Sequence, residues 1–325
     1  MDILKLKPTL AKRPTSPSIN HQTKNIRYGE ASFELLSDIL NTLNKQNKSH
    51  VRNVCGSVCG SFKDRRVVEH AFFICEEFRL DPLVAYHAIE LLDRQFMLKH
   101  IENLLSQQQS EVCGASVSAA KGTEEELIFQ ILKDKFCLFI ISSMQIASKI
   151  TLHTNVIDNN SALRYLQSVG TDCPKEKILE SELLILKTLD FSVNVPNPLL
   201  YVETLLEVLG HNNPATAVAH LHHLCRYVLR FVYLQRELIY SSLLIAVTGC
   251  LSPTTDQQAK FVSVTEDCML LGVGVIAVAA FIYQISTWEK VVEQLSLITG
   301  ISAKSIMEFA HVILVHITKS KAKLS

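Results

Sequence analysis

Residues 136–150 read FCLFIISSMQIASKI, and this stretch decides which kind of fold the chain can adopt. Apolar and small side chains fill it almost without interruption, and between Lys135 and Asp158 the one formal charge is Lys149. A run of this length and composition predicts a buried helix. An ammonium group is costly to bury alone, so Lys149 either reaches water at the helix end or meets a group that pairs with it.

The composition of the whole chain indicates a globular protein. Its 325 residues suffice for one large or two medium domains, and 48% of them are apolar, which is enough to fill the cores. Lys and Arg number 32, and Asp and Glu also number 32, so the chain has no overall positive field to steer it onto phosphate backbones. Direct binding of nucleic acid is therefore not expected.

The cysteines and the first residues indicate a reducing compartment. Nine cysteines stand at irregular spacing, at positions 55, 59, 75, 113, 137, 173, 225, 250 and 268. An odd number without paired spacing is typical of free thiols rather than of a disulfide framework. Residues 1–18 contain no apolar run long enough for a secretory signal. We therefore expect the protein in the cytosol or the nucleus.

Two clusters of potential metal ligands lack the rest of a site. HLHHLC could turn His220 and His223 to one side of a helix, and CGSVCG carries Cys55 and Cys59. Structural zinc usually needs four closed ligands, and no second pair with a recognisable spacing accompanies either cluster. Nor can a nucleophile with its base and oxyanion donors, or a phosphate-cradling glycine motif, be assembled from the spacing. The sequence predicts no metal, no cofactor and no catalysis by this chain.

One segment raises the question of a membrane. CMLLGVGVIAVAAFIYQISTW, residues 268–288, has no charged residue over 21 positions, and about 20 apolar residues are needed to cross a bilayer. The segment is diluted with Gly and Ala, ends in polar residues and has no basic cluster immediately on either flank. These features favour a buried core helix over a membrane span, and no membrane partner is expected.

The periodicity of the chain is helical, and no credible strand alternation interrupts it. Residues 1–30 are polar and are predicted to be a flexible arm, and residues 106–123 are predicted to be an exposed insertion loop. The helical run breaks around the two prolines of VNVPNPLL. The sequence therefore predicts an all-α protein with two consecutive helical domains, residues 31–195 and 196–325.

Four stretches of the first helical set occur in a familiar order. They are EEFRL (76–80), LLDRQF (91–96), MQIASKI (144–150) and ESELLILKTLDFSV (180–193). In order and helix position they resemble the cyclin box, over about residues 62–195. The resemblance implies the cyclin fold, with an N-terminal cyclin box followed by a divergent C-terminal cyclin-like domain that is similar only in architecture.

The resemblance implies a kinase-binding site. In cyclins, a lysine at the end of the third helix and a glutamate on the fifth hold backbone groups of the kinase, and here Lys149 and Glu182 stand at these positions. Leu138 stands at the position of a kinase-facing leucine. The residues support the pair independently, because Glu182 falls on the apolar stripe of its helix and needs a partner, and Lys149 can donate the hydrogen bonds that a carboxylate accepts. A helix-end lysine that only reaches water is the competing interpretation of Lys149.

The resemblance also implies a structural brace. Asp93 matches the aspartate that cyclins hold with a basic residue of the first helix. The candidates for that basic residue are Arg65 and Arg66, although strict register places Asp64 at the family's arginine position.

The chain departs from the cyclin pattern at two surfaces. The Met and Trp with which some cyclins recruit substrates are replaced by Lys63 and His70, so this substrate-docking patch is not expected. The paired glutamates that follow the lysine are replaced by Thr151 and Leu152, which removes charge beside the implied kinase interface.

The function implied by the resemblance is that of a non-catalytic adaptor that docks a cyclin-dependent kinase. Among animal cyclin-like proteins the chain is similar to those linked to the maturation of meiotic crossovers, which implies a nuclear location on meiotic chromosomes and recombination proteins as partners. The alternative is a kinase-independent helical scaffold that binds recombination or replication-factor assemblies. A third alternative, DNA binding by a cyclin-like repeat, is disfavoured by the neutral charge.

Overall fold

The computed structural model describes residues 30–54, 63–111, 121–151 and 155–322, and all regular elements in these ranges are helical. The all-α class predicted from the periodicity is therefore confirmed. The helices are α1 (Phe33–Val54), α2 (Arg65–Glu77), α3 (Pro82–Glu90), a π-helical segment (Leu91–Leu98), α4 (Lys99–Glu111), α5 (Lys121–Thr151), α6 (Asn159–Ser168), α7 (Lys175–Thr188), α8 (Pro198–Asn212), α9 (Val218–Leu234), α10 (Arg236–Thr248), α11 (Thr255–Thr265), α12 (Cys268–Tyr283), α13 (Ile285–Thr299) and α14 (Ala303–Ala322).

Short-range chemistry sets many of the helix ends. The carboxylate of Asp81 accepts from the backbone N–H of Leu83 and caps α3, which has a proline in its first turn. Asp158 caps α6 in the same way. Gly249 and Gly300 directly follow α10 and α13, and both adopt the left-handed conformation that glycine adopts without steric cost.

Both ends of the predicted insertion loop, residues 106–123, are helical. Residues 106–111 belong to α4 and residues 121–123 belong to α5. Residues 112–120 lie outside the described part of the chain, as do residues 1–29 of the predicted arm. Because a polar, small-residue composition is compatible with an exposed helical turn, composition alone does not mark where a helix stops.

Two apolar helices form the centres of the two helical sets. α5 packs against α2, α3 and α7, and α12 packs against α8, α9, α13 and α14. α12 is buried over most of its length, as predicted for a core helix, and a β-carbon on its Gly274 would lie 2.5 Å from Cδ1 of Phe309. Among the described helices, none alone has the length and apolar character to cross a bilayer, although α11 and α12 together, bent by 72°, meet that test.

The two helical sets share an extensive boundary. α1 contacts α8, α11 and α12, while α2 contacts α9 and α3 contacts α8. The hydroxyl of Tyr201 on α8 donates to the carbonyl of Leu43 on α1 at 2.9 Å, and both residues are buried. The leading helix α1 therefore packs against the second set. The division into domains near residue 195 stays a prediction.

Candidate functional site

The structure brings Lys149 and Glu182 together at the surface. Lys149 lies in the last turn of α5, Glu182 lies in the middle of α7, and Nζ of the lysine donates to Oε1 of the glutamate. The lysine side chain is 47% exposed and the glutamate side chain 13%. Both interpretations of Lys149 are therefore partly right, because the ammonium group meets a carboxylate and also reaches water.

The register of α7 explains why Glu182 is mostly but not fully buried. The inward stripe of this helix consists of Ile178, Ser181 and Ile185, and Glu182 borders it instead of lying at its centre. A carboxylate at the edge of a buried stripe is held by its neighbours and keeps access to solvent. Within the part of the chain that the structure describes, Glu182 has no hydrogen-bond partner besides Lys149. Acceptor capacity is therefore left for a second molecule.

Exposed apolar side chains flank the pair. Ile150 follows the lysine on α5, and Leu179 and Leu183 lie next to Glu182 along α7. All three are exposed, the two leucines by nearly half of their surface. Apolar side chains around a polar group are typical of protein interfaces. The arrangement can bind a partner through burial of the apolar groups and through hydrogen bonds to the charged pair.

Leu138 does not share this exposure. It lies on α5 and is 8% exposed, within the hydrophobic core. Spacing along a helix placed it on the face of Lys149, but the packing of α5 between its neighbours covers that face before the helix reaches its end. The kinase-facing role inferred for Leu138 is therefore corrected, since its side chain presents little surface to a partner.

The predicted brace of Asp93 also needs correction. Asp93 is buried in the π-helical segment, and the cation beside it is Lys63, with Nζ 3.5 Å from Oδ2. Arg65 is exposed and bonds to Glu69 at 2.7 Å, and Arg66 is exposed too. Neither arginine reaches Asp93. The helix start explains the difference, because Arg65 and Arg66, the first two residues of α2, face water, while Lys63, which precedes the capping residue, is buried.

Lys63 joins a buried network that links the two helical sets. Its Nζ lies 2.9 Å from Oε2 of Glu90 on α3 and 3.1 Å from Oε2 of Glu266, which follows α11. Glu266 accepts from Arg236 of α10 at 3.2 Å, and the hydroxyl of Tyr233 on α9 donates to Glu90 at 2.6 Å. All of these side chains are nearly excluded from water. Among the described residues, the carboxylates of Glu90, Asp93 and Glu266 thus meet the cations Lys63 and Arg236 at the boundary.

The electrostatics of the network favour charged Lys63. Burial by itself lowers the pKa of Lys63, but the carboxylates of Glu266 and Glu90 outweigh burial, so the pKa lies above its ordinary value. Burial also raises the pKa of Tyr233, which keeps its hydroxyl a donor to Glu90. The sequence reasoning missed this network. Two features of the sequence pointed to it. Lys63 replaces an apolar residue of the family, and Asp93 needed a cation.

The histidine cluster is occupied by other contacts. His220 stacks on Tyr283, His223 packs edge-on against Tyr227, and Nε2 of His222 lies 3.0 Å from Oε1 of Glu203. Over the described ranges no three His, Cys, Asp or Glu side chains are grouped so that they could hold a metal ion. Cys55 and Cys59 lie outside those ranges.

Comparison with known proteins supports the resemblance inferred from the motifs. No family model matches the chain. The chain is 40% identical to cyclin N-terminal domain-containing protein 1 of Mus musculus over 294 residues. This alignment covers 90% of this chain and 86% of that protein. Over 308 residues it is 40% identical to the protein of the same name from Homo sapiens, covering 94% and 89%. The similarity to cyclin-like proteins is therefore confirmed.

Proposed function

The chain belongs to the family of cyclin N-terminal domain-containing protein 1, and we propose that it is a non-catalytic regulatory protein that docks a cyclin-dependent kinase. The docking surface consists of Lys149, Glu182 and the flanking side chains Ile150, Leu179 and Leu183. The observation that carries the proposal is the exposed ion pair, which borders exposed apolar groups on two helices.

The chemistry of the pair suits the backbone of another protein. An ammonium group donates three hydrogen bonds and a carboxylate only accepts, so together they can pair with a foreign carbonyl and a foreign N–H while still contacting each other. Exposed leucines add affinity, at about 25 cal/mol for each Å² of apolar surface removed from water. The side chains of the pair are held by packed helices, which lowers the entropy lost on binding.

We further propose, from the resemblance alone, that the protein acts in the nucleus on meiotic chromosomes, where it promotes the maturation of crossovers during recombination. Its partners there are recombination proteins. The equal numbers of basic and acidic residues support protein partners over direct nucleic-acid binding.

A second candidate is a helical scaffold that binds recombination or replication-factor assemblies without a kinase. The burial of Leu138 favours it, because one of the side chains inferred to face a kinase is committed to the core. The replacement of the family's acidic pair by Thr151 and Leu152 points the same way. The two candidates differ in one observable, which is whether Lys149 and Glu182 contact a kinase.

Co-purification of cyclin-dependent kinases with the full chain tests the proposal. The wild type and a Lys149→Ala, Glu182→Ala variant are compared, with circular dichroism to verify folding. The matched control is Lys304→Ala with Glu308→Ala, which removes another exposed lysine–glutamate pair on α14. We expect the wild type and the control to retain kinase, and the first variant to lose about tenfold or more, since loss of hydrogen bonds to charged groups costs about 1.5–3 kcal/mol each.

A Leu183→Asp variant probes the apolar part of the same surface. It places a charge among the leucines and is expected to reduce kinase retention without unfolding the chain, because Leu183 is exposed. If the wild type retains recombination proteins but no kinase, the scaffold function replaces the proposal. If kinase is retained equally by a folded double variant, the docking surface lies elsewhere.

A further inference from the structure

A cleft of about 510 Å³ lies between α2 and α9, where the two helical sets meet. Its walls carry three arginines, Arg79, Arg226 and Arg230, and one carboxylate, that of Glu76. The proposed kinase-docking pair lies on α5 and α7, so the cleft is a separate feature of the molecule.

The charges in the cleft do not cancel. Arg230 pairs with Glu76, and its guanidinium group also lies 4.9 Å from the centre of the Phe72 ring. Arg79 and Arg226 are exposed, and among the described residues neither forms an ion pair. In a chain with equal numbers of acidic and basic residues, two uncompensated guanidinium groups therefore remain at one small concave site.

The arginines converge on a buried aromatic floor. Arg226 and Arg230 line the cleft together with Tyr86, whose side chain is buried. The ring of Tyr86 packs edge-on against Phe72 with 5.2 Å between the centroids. The site thus combines positively charged side chains with an aromatic base, and hydrogen bonds between guanidinium groups and an anion are stronger than those between neutral groups.

The third arginine is held by an unusual backbone. Arg79 has a φ of 51°, in the left-handed region that glycine or asparagine more often occupies after a helix. The side-chain amide of Asn155 donates to the carbonyls of Phe78 and Arg79, at 3.4 and 3.5 Å. A residue held in a sparsely populated conformation is a reason to look for a function, and this one carries a guanidinium group to the cleft wall.

We propose that this cleft binds a phosphorylated serine or threonine side chain of a partner protein. A phosphate monoester carries about 1.5 to 2 negative charges at neutral pH, which matches the two uncompensated guanidinium groups. Arginine pairs with phosphate through two parallel hydrogen bonds, and clusters of arginine are a common means of recognising phosphorylated segments. A carboxylate offers one charge and two oxygens, so aspartate or glutamate satisfies the cleft less well.

Three immobilised peptide libraries test the proposal with the purified full chain. They are identical except for the central residue, which is an equal mixture of phosphoserine and phosphothreonine in the first, glutamate in the second and serine in the third. We expect retention on the phosphorylated library to exceed that on the others by about tenfold or more, because hydrogen bonds to charged groups contribute about 1.5–3 kcal/mol each.

Four variants locate the binding. Arg226→Gln is expected to lower retention about tenfold, whereas Arg66→Gln, which removes an exposed arginine of α2 outside the cleft, leaves it unchanged. Glu76→Gln is expected to raise retention, because it releases Arg230 from its carboxylate partner. Equal retention on the glutamate and phosphorylated libraries, or full retention by a folded Arg226→Gln variant, would overturn the proposal. Lys149→Ala with Glu182→Ala is expected to leave retention unchanged, which separates this site from kinase docking.

Discussion

The Lys149–Glu182 pair and the Lys63–Glu90 pair have the same chemistry and opposite surroundings. The lysine of the first is 47% exposed at the surface, and the lysine of the second is 2% exposed between the two helical sets. The exposed pair keeps hydrogen-bonding capacity for another molecule. The buried pair is saturated by Asp93 and Glu266 and holds elements that lie far apart in the sequence. The comparison teaches that burial, not residue type, decides whether an ion pair binds a partner or supports the fold.

The energetic reason is the cost of an unpaired charge. Water screens the exposed pair, so its contribution to the free energy of unfolding is about 0–1 kcal/mol. In the buried network, loss of one member leaves the others desolvated without compensation, which costs about 3–5 kcal/mol. The following variants separate these two regimes.

The largest expected effect is that of Lys63→Met. Methionine replaces the apolar stem of the lysine but not its ammonium group, so the carboxylates of Glu90, Asp93 and Glu266 would face Arg236 as the remaining cation of the network described above. We expect the free energy of unfolding to fall by about 3–5 kcal/mol, measured by denaturant titration. Lys149→Met is the control and is expected to cost no more than about 1 kcal/mol. Equal losses in the two variants would contradict the comparison.

Tyr233→Phe is expected to have an intermediate effect. It removes the hydroxyl that donates to Glu90 at 2.6 Å and leaves the ring in place. Loss of a buried hydrogen bond to a charged group lowers the free energy of unfolding by about 1.5–3 kcal/mol. Tyr283→Phe, at an exposed tyrosine, provides the control and should change it by no more than about 0.5 kcal/mol. A Tyr233→Phe variant as stable as the control would show that the network tolerates a missing donor.

A double-mutant cycle with Lys149→Ala and Glu182→Ala measures the exposed pair directly. We expect a coupling free energy of about 0.2–1 kcal/mol, which decreases at high salt because the pair lies in reach of counterions. The Lys304–Glu308 pair of α14 gives the reference for an ordinary exposed pair. A coupling above about 3 kcal/mol would place Lys149 and Glu182 with the buried network instead.

Lowering the pH is expected to decrease the free energy of unfolding of the wild type and of Lys149→Met by the same amount. Burial lowers the pKa of His70, His87 and His100 below the ordinary value of 6.5. The unfolded chain therefore binds protons at a higher pH than the folded chain, so stability is full above about pH 6.5 and falls as the pH drops below it. Thermal unfolding at pH 7 and pH 5 measures the effect. A slope that differs between the two proteins would link the exposed pair to these histidines.

Much of the local structure followed from the sequence. Helical periodicity predicted the all-α class, and the carboxylate of Asp81 before a proline marks the start of α3. The spacing of the cyclin-like stretches placed Lys149 and Glu182 on neighbouring helices, where the structure pairs them. These features are short-range, or they belong to a pattern in which each residue has an assigned helix position. Such information is present in the order of residues.

Other features were decided by tertiary packing. The cation beside Asp93 is Lys63 and not Arg65 or Arg66, because both arginines face water at the start of α2. Leu138 is buried, because α5 is covered by its neighbours. The arginine-lined cleft forms only where α2 and α9 meet.

By itself the sequence determined the helices and their apolar stripes, since these depend on residues a few turns apart, and its resemblance to cyclins indicated the pairing of Lys149 with Glu182. Only the tertiary structure decided which charges are buried together. Lys63 and Glu266 are 203 positions apart, and no periodic pattern connects residues at that distance. Their pairing results from the packing of one helical set against the other, because a buried charge is stable only where an opposite charge meets it.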